Sequence, residues 1–117
     1  MTHQPATFHA PGLTDAGAEI ARLREVLSLV REIGGETGND PGALDEAARV
    51  SSAYASALPI VQRRFDEEIA IVARWAAAGL EALLILDESE RPTKAAASCL
   101  ALELERALAG VGRIVAA

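Results

Sequence analysis

Apolar residues recur at helical spacing along most of this chain. Between Asp15 and Ile33, the residues Ile20, Leu23, Leu27 and Val30 are separated by 3, 4 and 3 positions, which gathers them into one stripe of a helix. Val26 and Ile33 widen the stripe, and Arg22, Arg24, Glu25, Arg31 and Glu32 occupy the remaining surface. Thr14 stands where an N-cap is expected, and Asp15 and Glu19 lie near the positive end of the helix dipole. Gly34 and Gly35 supply the left-handed conformation that ends a helix. The pattern predicts a first helix over residues 15–33.

The connector GGETGNDPG follows, and Asp40 as N-cap with Pro41 in the first helical position predicts that a helix restarts there. From 41 to 87 the pattern is helical except at Pro59. Leu44, Ala48, Ser51, Ala55, Leu58, Phe65, Ile69, Val72, Ala76, Leu83 and Leu86 follow a seven-residue repeat, with Gln62 and Gly79 as its weak points. The segment from Glu46 to Phe65 contains no Gly, Asn or Asp, the residues that a tight reversal normally needs. Because the repeat keeps its phase past Pro59, the sequence predicts one helix kinked there. The alternative is a new helix capped at Ser56, with Pro59 in a first turn that does not need its N–H. A continuous helix of about 47 residues at ~1.5 Å per residue would span roughly 70 Å. That is too long for its own chain to cover, so other copies or a partner would have to complete its burial.

Residues 69–86, IAIVARWAAAGLEALLIL, contain only Arg74 and Glu81 as charged residues, seven positions apart. So apolar a segment predicts burial on more than one side. Two interior charges and the lack of a flanking basic cluster argue against a membrane span. After DESERPT, Pro92 opens a last helix over residues 91–115, with Leu100, Leu104, Leu108 and Val111 inward, Ala96, Ala97, Ala107 and Val115 beside them, and Glu103, Glu105, Arg106 and Arg113 in solvent. Gly110 and Gly112 would let a neighbouring helix approach closely. Residues 1–13 hold two prolines, His3 and His9 and show no periodicity, which predicts a flexible N-terminal arm before a single helical domain over 14–117.

Composition sharpens this picture. The 117 residues suit one domain, 50% hydrophobic but only 3% aromatic: Phe8, Tyr54, Phe65 and Trp75. A mean hydropathy of +0.19 is high for so small a chain and favours coverage of apolar surface by another copy or a partner over contact with a membrane. The net charge of -6 argues against general binding to nucleic-acid backbone, leaving Arg49, Arg63 and Arg64 as the only candidate contacts. Pairing with Asp45, Glu46, Asp66, Glu67 and Glu68 is their plainer fate. Cys99, the single cysteine, sits among small apolar residues and reads as buried. The start of the chain has no basic and apolar leader pattern, which predicts a cytoplasmic protein. Ten arginines against one lysine fit a GC-rich bacterial genome.

The expected fold is therefore all-α: a bundle of three to four helices with antiparallel neighbours, a long central helix kinked at Pro59, completed by oligomerisation. The chemistry-bearing residues predict no catalytic, metal or cofactor site. His3 and His9 lie in the arm, and one cysteine with two histidines does not make a usual zinc site. The leading functional expectation is a non-enzymatic, homo-oligomeric adaptor, scaffold or assembly subunit that binds or organises another protein, with no membrane association. Leu58, Phe65, Ile69, Val72, Trp75, Leu83 and Leu86 are its candidate interface. Two alternatives use other residues: a DNA-packaging or nucleic-acid-associated assembly subunit would use Arg49, Arg63 and Arg64. A small helical ligand sensor or enzyme would use a pocket near Arg74, Trp75 and Glu81.

Overall fold

The computed structural model describes residues 15–86 and 91–116. The expected arm, the Thr14 cap and the turn at 87–90 lie outside the described residues. The described residues form four helices: α1 (Asp15–Ile33), α2 (Ala43–Ser56), α3 (Pro59–Ile85) and α4 (Arg91–Ala116). Among the described residues there is no strand, and no helix is long and apolar enough to cross a membrane.

α1 has the predicted bounds, and Ile20, Leu23, Leu27 and Val30 are all buried. Its end is a Schellman motif. Gly35 takes φ 85°, the Gly35 N–H bonds the Glu32 carbonyl, and the Glu36 N–H bonds the Arg31 carbonyl. α2 starts at Ala43 rather than at Pro41, and Gly42 in the capping position makes no side-chain cap. Asp40 contributes only its backbone carbonyl to this turn, accepting from the Ala43 N–H at 3.2 Å. Its carboxylate is held by Arg24 instead.

The expected single helix over 41–87 is two helices. Ala57 and Leu58 both have extended backbone, with ψ of 156° and 150°. Pro59 then occupies the first turn of α3, where its missing N–H leaves no bond unmade. The junction is held without Gly or Asn. The Tyr54 carbonyl accepts from the Ala57 N–H at 3.1 Å and from the Gln62 side chain at 2.8 Å, while the Leu58 carbonyl accepts from the N–H groups of Val61 and Gln62. Gln62, the weak point of the apolar repeat, is thus the clamp of the corner. The repeat also loses its phase here: Leu44, Ala48, Ala55 and Leu58 are exposed, and α2 buries Ala47, Val50 and Ser51.

The contacts fix the directions. Arg24, midway along α1, pairs with Glu46 just inside α2, and Asp15 at the start of α1 lies near Tyr54 at the end of α2, so these helices are antiparallel. Gly79 faces Leu100, and Trp75 shares a groove with Glu103 and Ala107, so α3 and α4 are antiparallel too. Gly34 lies beside Ser98, and Arg31 pairs with Glu105, which makes α4 antiparallel to α1. Consecutive α2 and α3 barely touch beyond the corner, and α1 and α3 pack sparsely.

One core joins the four helices, with Phe65, Ile20, Leu23, Leu27, Leu104, Leu108 and Val30 as its largest fully enclosed side chains. Burying each such side chain is worth about 1.5–3 kcal/mol. Phe65 also meets Tyr54 edge to face, with ring centroids 5.4 Å apart. Tyr54 Oη donates to the Asp66 carboxylate at 3.1 Å. The longest dimension is 46 Å, well short of a continuous central helix.

Candidate functional site

The helices are fastened by polar side chains at their connections. Arg24 Nε and Nη2 donate to the two oxygens of Asp40 at 2.8 Å each, and Nη1 donates to Glu46. All three groups are largely enclosed, so solvent screens them weakly. The bonded guanidinium holds the Asp40 carboxyl below the usual carboxylate range, and the same bonds raise the Arg24 value. Two helical turns further along the same face of α1, Arg31 Nη2 donates to Glu105 of α4 at 2.5 Å. Burial, then the bond to Asp66, pushes the Tyr54 hydroxyl up. These groups have structural partners and tie elements together.

The surface of α3 is different. Its buried stripe is Phe65, Ile69, Val72, Ala76 and Leu83. Four members of the expected interface, Phe65, Ile69, Val72 and Leu83, therefore belong to this chain's own core. Leu58, Trp75 and Leu86 remain exposed. A second apolar stripe runs along the solvent side: Ile71, Trp75, Ala78, Ala82 and Ile85, all exposed and spaced 4, 3, 4 and 3 apart. Ile71 is 51% and Ile85 79% exposed. This is the spacing of a seam that packs on another helix.

Among the described residues, two shallow grooves run beside the middle of α3, apart from a hollow at its C-terminal end lined by Leu83, Leu84 and Ile33. One, of 310 Å³, is lined by Ile71, Val72 and Trp75 with Glu103 and Ala107 of α4. The other, of 330 Å³, lies between α1 and α3 and includes Arg22, Val26, Leu80, Glu81 and Leu84. Trp75 and Glu81 thus line different grooves. Arg74 lines neither of them and is exposed, as is Glu81. Six positions separate Trp75 from Glu81, which sets them about 120° apart around the helix.

Arg49 on α2 and Arg63 and Arg64 on α3 are exposed. Two of the acids expected to neutralise them are engaged elsewhere, Glu46 by Arg24 and Asp66 by Tyr54. Cys99, expected to be buried, is exposed on α4. Its neighbours Ala95 and Ala96 are exposed as well, while Ala97 and Ala101 are buried, so α4 turns this part of the small-residue run outward. The residue that best repays its conformational cost is Gly79. A Cβ there would lie 2.9 Å from Leu100 Cδ2, so the glycine admits the Leu100 side chain against the α3 backbone. Among the described residues, no group of three His, Cys, Asp or Glu side chains is placed to hold a metal ion.

Comparison of the chain with protein-family models, with curated proteins and with solved structures finds no match.

Proposed function

We propose that this protein is a non-catalytic, self-associating helical subunit of the cytoplasm, whose work is to bind or organise another protein. The observation that carries this reading is the second apolar stripe of α3. A helix that has already buried one face in its own bundle has no internal use for Ile71, Trp75 and Ile85 on the opposite side. Large contiguous apolar surface on a small chain marks an interaction site. Trp75 adds a side-chain type that carries binding energy out of proportion to its number. The polar groups with defined partners, Arg24, Arg31 and Tyr54, fasten helices to one another, which supports a rigid presenting scaffold.

Light scattering after size exclusion, over a wide range of dilution, tests the reading. The expected result is a dimer or larger species for the wild type and a monomer of unchanged helical content for Ile71→Glu. A wild type that stays monomeric at every concentration overturns it.

A further inference from the structure

We infer that the occupant of the α3 stripe is a second copy of this chain, lying antiparallel, with a twofold axis beside Ala78. The inference rests on the self-association proposed above and adds its geometry. It follows from the way the stripe maps onto itself when reversed. Ile71 and Ile85 stand seven positions before and after Ala78, so reversal places isoleucine against isoleucine. Reversal about almost the same point sets Trp75 against Ala82, a large side chain against a small one, as interdigitating faces require. The small side chain of Ala78 sits at the crossing, where interaxial distance is set by the residues in contact.

The flanking charges obey the same axis. Arg74 and Glu81 are exposed, and neither has an ion-pair partner among the described residues. They lie on the same flank of the stripe, separated by two helical turns or about 10.5 Å. Their midpoint falls between Ala77 and Ala78. An antiparallel copy therefore brings Arg74 to Glu81 of the second copy, and Glu81 to its Arg74, so both pairs are satisfied by one rotation. A parallel, in-register copy would carry the two charges to opposite sides of the seam, where each meets the apolar flank of Val72, Gly79 and Leu86 and neither finds a partner. Three relations, apolar, steric and electrostatic, thus converge on one axis within half a residue.

Charge exchange tests the pairing. Arg74→Glu and Glu81→Arg each turn two attractive pairs into two repulsive ones, and each is expected to weaken self-association roughly tenfold at low salt. The double variant Arg74→Glu/Glu81→Arg restores both pairs and is expected to return to within about threefold of the wild type. In a Cys99→Ser background, Ala78→Cys is expected to oxidise to a covalent dimer, because the new thiol meets its own copy at the axis. A double variant as weak as the singles, or an Ala78→Cys protein that dimerises without cross-linking, overturns the antiparallel arrangement while leaving self-association intact. A wild type with no self-association defeats the underlying reading instead. A stripe whose only occupant is a different protein gives that same monomeric wild type.

Discussion

The guanidinium of Arg24 and the carboxylate of Asp40 are joined by two parallel hydrogen bonds of 2.8 Å, across sixteen residues of chain. This pair closes the 34–42 connector onto α1, and Glu46 adds the first turn of α2 to the same guanidinium. Arg24→Leu leaves two enclosed carboxylates without their cation and is expected to cost about 2 kcal/mol, measured by urea unfolding. A loss within error of zero would show that water replaces the guanidinium without penalty.

The same pair makes stability depend on acid. The folded value of Asp40 lies below its ordinary 3.8. Its contribution is therefore complete at pH values above that of the unfolded chain, and it is lost as the pH falls through the lowered folded value. Thermal melts between about pH 5 and pH 2 should fall less steeply for Asp40→Asn than for the wild type. Parallel acid limbs would remove Asp40 as a source of the slope.

Tyr54 works at the opposite end of the scale. Burial and the bond to Asp66 raise its folded value above 10.0. The stability it contributes is thus present below that unfolded value and is lost as the pH rises through the raised folded one. Tyr54→Phe keeps the edge contact with Phe65 and removes the hydroxyl. It is expected to cost about 0.5–1 kcal/mol at neutral pH and to flatten the alkaline limb of the melting curve. An unchanged alkaline limb would contradict this.

Gly79 permits a graded test of close packing. In Gly79→Ala the new methyl meets the tip of Leu100, which can rotate, and alanine gains about 1 kcal/mol of helix propensity. The two effects offset, and the change in stability is expected to stay within about 1 kcal/mol. Gly79→Leu cannot be accommodated by a rotation and is expected to cost about 2–3 kcal/mol. A Leu variant as stable as the wild type would mean that α3 and α4 separate easily at this point.

Cys99 is expected to react with a water-soluble disulfide reagent in the native protein, because it faces solvent. One thiol released per chain without denaturant is the expected titration. Reaction only on unfolding would show it covered, with self-association as the first cause to check by dilution.

Much of this fold can be read from sequence where polar residues mark the outside of a helix. In α1 the arginines and glutamates leave a single apolar stripe, and glycines fix the end, so both face and bounds follow. α4 keeps Leu104, Leu108 and Val111 inward for the same reason. Cys99 is expected inside and is found outside because AAASCLAL carries no charge on any side, and periodicity cannot select a face without contrast. In α2 the seven-residue repeat selects Leu44, Ala48, Ser51 and Ala55, and of these the structure buries only Ser51, together with Ala47 and Val50. Two extended residues reset the helical phase, and a repeat carried across Pro59 cannot register that. The partner of Asp40 was invisible because it is sixteen residues away and reached only after the chain has folded back.

The candidate surface was legible in outline. An apolar segment over residues 69–86 implied burial on more than one side, and α3 does present two apolar stripes. Which stripe faced inward was decided by the rest of the bundle. It covers Phe65, Ile69, Val72 and Leu83, with Tyr54 of α2 against Phe65, leaving Ile71, Trp75 and Ile85 outside.

The break at Ala57 and Leu58 also bears on how the chain finds this structure. It divides the molecule into two hairpins, α1 with α2 and α3 with α4, each built from neighbours in sequence and so inexpensive in loop-closure entropy. The seam between α1 and α4 is different, since Arg31 and Glu105 are 74 residues apart. Closure of that seam is expected to follow formation of the hairpins. Arg31→Leu, which breaks the bond from α1 to Glu105 of α4, should then speed unfolding and change the folding rate little, whereas an equal fall in folding rate would place the seam in the nucleus. Two residues of extended backbone thus turn one long conformational search into two short ones and a final closure.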